Sequence, residues 1–187
     1  MDNYFSLNNR RYLGAKTKLL QFIKEVMERE FKYEKNTFLD LFAGTGVVGY
    51  EFSNIYKNIY TNDLLLQNYV ALNAFFSYEK IDLDLLKSEI NTCNKLNGTV
   101  NYYSENFGDK FFSLKNAKKI GSIRAYIDTL EASTRMRHAL LTSLFAIEKW
   151  VLSKIYLRPD CSIEKLIGLF SANNFNSLST SFSNKGK

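Results

Sequence analysis

Apolar residues at Leu19, Leu20, Ile23, Val26 and Met27 recur at helical spacing and predict a helix over residues 15–30 with one apolar face. A polar connector, Lys32 to Asn36, follows. Thr37 to Phe42 is a short apolar run that reads as a buried strand. Three glycines come next, then a stretch that predicts a helix over 45–56. Ile59 to Thr61 reads as a second short strand. Leu65, Tyr69, Leu72 and Phe76 mark a strongly apolar helix over 64–78, expected to lie against the sheet. Helix, strand, helix, strand, helix is the opening of a parallel α/β sheet.

After Lys80 the strand signal fades. Asp82 can cap a helix that runs to Leu96, closed by Asn97-Gly98. Asn101 to Gly108 reads as an aromatic, polar loop, and helices are expected over 114–130 and 135–153. From Ser171 the chain is rich in Ser, Asn and Thr, which predicts a frayed tail. The expected organisation is an α/β portion over 1–80, a helical insertion or the start of a target-recognition region over 81–155, and a divergent, poorly ordered tail over 156–187. Only two or three strands can be defended, few for a stable open sheet.

Composition changes this picture little. At 187 residues and 45% hydrophobic, the chain can bury a core. The net charge of +6 is compatible with a polyanionic partner and equally with a basic surface. The two cysteines, Cys93 and Cys161, have no metal-ligand spacing, and a reducing interior is the default. No run approaches ~18 apolar residues. A soluble, cytoplasmic protein without a bound metal is expected. The single histidine, His138, is expected on a helix surface rather than in a triad or metal site.

The chemistry lies in Phe38-Leu-Asp-Leu-Phe-Ala-Gly-Thr-Gly-Val-Val-Gly49. Gly44, Gly46 and Gly49 have the G-x-G-x-x-G spacing between a strand and a helix, and Asp63 follows 19 residues after Gly44. Gly44 would allow a tight turn, Gly46 would leave room for a ligand, and Gly49 would let the helix pack close to the sheet. Asp63 could accept from ribose hydroxyls. Asp40 lies inside the strand, where a carboxylate is expensive to bury unless paired. It either caps local backbone amides or faces a cationic ligand group. S-adenosylmethionine has such groups in its α-ammonium and sulfonium, and a dinucleotide gives Asp40 no role.

Phe38-Leu-Asp-Leu-Phe-Ala-Gly-Thr-Gly46 resembles the first cofactor motif of the adenine-specific DNA methyltransferases of the DNA adenine methylase class. Arg10-Arg-Tyr-Leu-Gly-Ala-Lys-Thr-Lys-Leu-Leu20 resembles their N-terminal cofactor motif. The resemblance covers residues 8–75 and extends toward 130, where Tyr102 to Phe112 is similar to a segment found in some members; from 151 it is lost. It implies a partial Rossmann-like, S-adenosylmethionine-dependent methyltransferase sheet followed by a helical subdomain. It implies that Tyr12 and Lys16 line the methionine end, with Asp40 near its ammonium. Gly44, Thr45 and Gly46 would form the floor, Phe42 is a further cofactor-binding candidate, and Asp63 would hold the ribose. Arg10 and Arg11 would contact phosphates of double-stranded DNA or simply be solvated.

The family draws out the adenine amino group with an Asp-Pro-Pro-Tyr tetrapeptide, whose aromatic residue stacks on the flipped base. This sequence has one proline, Pro159, so neither that tetrapeptide nor a variant of it exists here. No catalytic residue is therefore assigned. The expectation is the N-terminal, cofactor-binding portion of a restriction-modification methyltransferase, cut short and inactive alone. Alternatives are one subunit of a split enzyme, whose second polypeptide carries the tetrapeptide, and a non-catalytic module binding S-adenosylmethionine or DNA. A dinucleotide-dependent oxidoreductase is more distant.

Overall fold

A computed structural model describes residues 16–31 and 36–155. Arg10, Arg11, Tyr12, most of the polar connector and the tail lie outside the described residues.

The first predicted helix begins as a 3-10 turn, Lys16–Leu19, and continues as α1, Leu20–Glu30. Strand β1, Thr37–Asp40, leads through the glycine turn into α2, Val47–Phe52. Strand β2, Asn58–Thr61, pairs with β1 in parallel, with Asp40 opposite Thr61. Alternation along the strands sends Phe38, Asp40, Ile59 and Thr61 to one side. Phe38 stacks on Phe52 at 4.7 Å and tilts against Tyr56 at 5.3 Å. Phe52 and Ile59 are buried in the same core, and full burial of a Phe contributes roughly 2–3 kcal/mol. On the opposite side Leu39 and Tyr60 are half exposed. These are the only two strands among the described residues, and they form a two-stranded sheet.

The other elements of the described residues are helices: α3 Leu66–Phe76, α4 Leu83–Lys95, α5 Tyr102–Phe107, α6 Leu114–Thr129 and α7 Thr134–Ile155. The main partner of α3 is α7 rather than the sheet. Ala71, Ala74 and Phe75 of α3 share one buried cluster with Met136, Ala139, Leu140 and Leu144 of α7. Buried Arg135 fastens the end of this pair: Nε donates to the Ala74 carbonyl at 3.0 Å, and the guanidinium also reaches the carbonyls of Phe75 and Glu79. Asp82 caps α4 as expected, accepting from the N–H groups of Asp84 and Leu85.

Two further expectations are corrected. The stretch 101–108 contains a helix, not a loop. Asn101 accepts the Ser104 N–H at 2.9 Å while Ser104 Oγ accepts the Asn101 N–H at 3.0 Å, a reciprocal capping box that starts α5 despite its brevity. His138 is half-buried rather than a surface residue. Its Nδ1 lies 2.9 Å from Asn73 Oδ1 and its ring sits edge-on to Tyr69.

Candidate functional site

The turn after β1 is held by backbone bonds to the end of β2. The Asn62 N–H donates to the Asp40 carbonyl at 2.8 Å, and the Ala43 N–H donates to the Asn62 carbonyl at 2.9 Å. Asn62 Nδ2 adds a bond to the Leu41 carbonyl at 3.0 Å. The ladder thus continues past both strands and fixes where the glycines begin.

The glycines divide their work differently from the expectation. Gly44 and Gly46 both have positive φ, +55° and +83°. Among the described residues, a Cβ on Gly44 would meet no atom within 4 Å, so this is the position that borders open space there. A Cβ on Gly46 would lie 2.9 Å from both Leu72 Cδ2 and Phe76 Cε2, so Gly46 makes room for α3. Gly49 does allow close helix-to-sheet packing, since a Cβ there would meet Thr61 and Ile59 side chains at 3.1 and 3.4 Å. Thr45 is buried within the turn, whereas Phe42 is 79% exposed.

Asp40 is buried, and its charge is compensated from a distance of 24 residues in sequence. Lys16 Nζ, at the start of the 3-10 turn, lies 3.2 Å from Asp40 Oδ1 and also donates to the Phe42 carbonyl. Among the described residues, Asp40 Oδ2 is buried with no hydrogen-bond partner. A half-satisfied buried carboxylate is costly, and a cationic ligand group is what would complete it.

Asp63 is more engaged than a free ribose acceptor. Oδ2 accepts the Gly44 N–H at 2.8 Å; Oδ1 accepts the Leu65 N–H at 2.9 Å and Asn68 Nδ2 at 3.0 Å. Partial burial pushes its pKa up. The bonds from Leu65, Asn68 and Gly44, with the nearby Lys16 charge, outweigh burial and hold the carboxyl below the ordinary aspartate value. Asp63 therefore stays ionised at neutral pH while tying the glycine turn to the start of α3.

The structure thus gathers Lys16, Asp40, the Phe42 carbonyl, Gly44, Gly46 and Asp63 around one turn. Asn68 was missed in the sequence. Its only signal is an amide inside an otherwise apolar helix, at a position only 1% exposed. The arrangement offers two carboxylates, one ammonium and an unobstructed glycine, which suits a zwitterionic nucleoside ligand. Among the described residues no cluster of His, Cys, Asp or Glu could hold a metal, and no helix is long and apolar enough to cross a membrane.

Comparison with known proteins bears on the same residues. The family of D12 class N6 adenine-specific DNA methyltransferases matches residues 12–185. That match continues through the tail, beyond the stretch over which individual motifs are recognisable. Modification methylase StsI of Streptococcus sanguinis is 32% identical over 132 residues, 64% of this chain and 20% of that protein. Type II methyltransferase M.FokI of Planomicrobium okeanokoites is 30% identical over 153 residues, 73% of this chain and 23% of that protein. Modification methylase LlaI of Lactococcus lactis subsp. lactis is 33% identical over 133 residues, 64% of this chain and 21% of that protein. The matched stretch of this chain thus spans about a fifth of the length of these relatives. No solved structure matches.

Proposed function

The chain belongs to the D12 class of N6 adenine-specific DNA methyltransferases, and on that premise we propose that its βα turn binds S-adenosylmethionine for methyl transfer to the adenine amino group in DNA. The observation that carries this reading is the Asp40–Lys16 pair beside a glycine turn, with Asp40 Oδ2 left unsatisfied among the described residues. An amino-acid zwitterion complements the pair: its ammonium is drawn to Asp40 and its carboxylate to Lys16. Gly44 gives the nucleoside access to the backbone, and Asp63 supplies an acceptor for ribose. Tyr12, from the same N-terminal motif as Lys16, is assigned to binding the methionine end.

The bound cofactor supplies an electrophilic methyl group. The residues of this chain hold and orient it, and transfer of this kind depends largely on positioning. Acceptors for the adenine amino group come from an Asp-Pro-Pro-Tyr segment outside these 187 residues, and Arg10 and Arg11 contribute phosphate contacts. The sheet around β1 and β2 is then the start of a Rossmann-like methyltransferase sheet. A restriction-modification role follows from the names of the three relatives, each a modification methylase or a type II methyltransferase.

The presence of a single proline favours a second reading, a module that binds the cofactor without catalysis. Calorimetry with S-adenosylmethionine, paired with a labelled-methyl assay on mixed-sequence DNA, tests both readings. Binding without transfer is expected of the chain alone, and transfer only when a polypeptide bearing the tetrapeptide is added. Failure of that folded complex to transfer leaves the binding module. Robust transfer by the pure chain contradicts the assignment of the acceptors elsewhere.

A further inference from the structure

Asn68 sits in the first turn of α3, buried to 1% exposure, and its amide donates to Asp63 Oδ1 at 3.0 Å. The Leu65 N–H donates to the same oxygen at 2.9 Å. A carboxylate has about four lone-pair positions, two on each oxygen. Oδ1 is therefore filled. Among the described residues Oδ2 accepts only the Gly44 N–H, and Gly44 is the glycine that borders open space there.

We propose that Asn68 is a positioning residue: it fixes the Asp63 carboxylate so that one acceptor position, on Oδ2, reads a single ribose hydroxyl of the nucleoside ligand. This rests on the cofactor reading above and narrows it. A carboxylate free to rotate accepts from both hydroxyls of a ribose, one on each oxygen. A carboxylate whose Oδ1 is held by α3 cannot. Asn68 thus acts on the ligand through Asp63. The polar residue inside an apolar helix gains a reason, since an apolar side chain would fill the volume without orienting the acid.

The test compares S-adenosylhomocysteine with its 2′-deoxy and 3′-deoxy analogues by calorimetry on the wild-type chain, Asn68→Ala and the near-isosteric Asn68→Leu, each first shown to be folded by circular dichroism. In the wild type one deoxy analogue binds about tenfold more weakly than the parent, the loss of one hydrogen bond to a charged acceptor, and the other binds nearly as well. In either Asn68 variant that difference between the analogues disappears. Equal losses for both analogues in the wild type, or a difference that survives in the variants, overturns the proposal. A merely structural role for Asn68 would weaken all three ligands by one factor and leave their ratios untouched. A folded wild-type chain that binds none of the three overturns the cofactor reading itself, and this inference with it.

Discussion

Lys16 Nζ lies 3.2 Å from Asp40 Oδ1, joining the start of the first helical segment to the end of β1. The carboxylate is nearly buried, whereas the lysine side chain is one-third exposed. The pair is therefore partly screened, and its value lies between that of a surface pair and that of a buried one. Asp40→Asn is expected to lower stability by roughly 1–2 kcal/mol, read as a shift in urea midpoint at unchanged slope. A midpoint equal to that of the wild type would show that the contact contributes nothing.

The two positive-φ glycines are predicted to fail differently. Gly46→Ala meets both left-handed strain and the side chains of Leu72 and Phe76 at 2.9 Å, and should cost roughly 2–4 kcal/mol. Gly44→Ala meets strain alone, roughly 1–2 kcal/mol, but places a methyl group on the ligand side. The larger midpoint shift belongs to Gly46→Ala. Among folded variants, the larger loss of S-adenosylhomocysteine affinity belongs to Gly44→Ala. The reverse pattern would restore the ligand-facing role to Gly46.

Arg135→Met should be among the most damaging substitutions away from the turn. It strips donors from the carbonyls of Ala74 and Phe75 in the last turn of α3 and of Glu79 just beyond it. Leaving buried carbonyls unsatisfied costs roughly 1–3 kcal/mol each. Thermal denaturation should show a loss of several degrees or failure to fold. A wild-type melting temperature would mean that these carbonyls find other partners.

Much of the α/β portion was legible because its signals are local. The apolar run Thr37 to Phe42, within which β1 forms, the glycine spacing and Asp63 are read from neighbours in sequence, and the Asp82 cap likewise. What was not legible depends on distant contacts. The division of labour between Gly44 and Gly46 is set by Leu72 and Phe76, which belong to another helix. The packing of α3 on α7 cannot be read from an apolar stripe, because the stripe does not name its partner. The α5 capping box uses Asn101 and Ser104, residue types as common in loops as at helix starts. His138 was misplaced for the same reason: Asn73 and Tyr69 come from the packed helix, not from its own.

That histidine gives a pH prediction. Burial, with the neighbouring Arg137 charge, holds its pKa below the ordinary 6.5, and Glu79 opposes this only in part. The unfolded chain therefore takes up a proton before the folded one does. Stability is full above pH 6.5 and falls as pH drops from there through the folded-state value. As the single histidine, His138 makes the test clean. Urea midpoints between about pH 7.5 and 5.5 should decline in the wild type and decline less in His138→Gln. Parallel declines would place the effect in another group.

The central claim is that the turn beside Asp40 and Lys16 binds S-adenosylmethionine. The most direct measurement is calorimetric titration of that cofactor into the purified chain and into folded Asp40→Asn. Saturable one-to-one binding by the wild type, weakened at least about tenfold in the variant, is the predicted result. No binding by a folded wild-type chain, or equal binding by the two proteins, would contradict the claim.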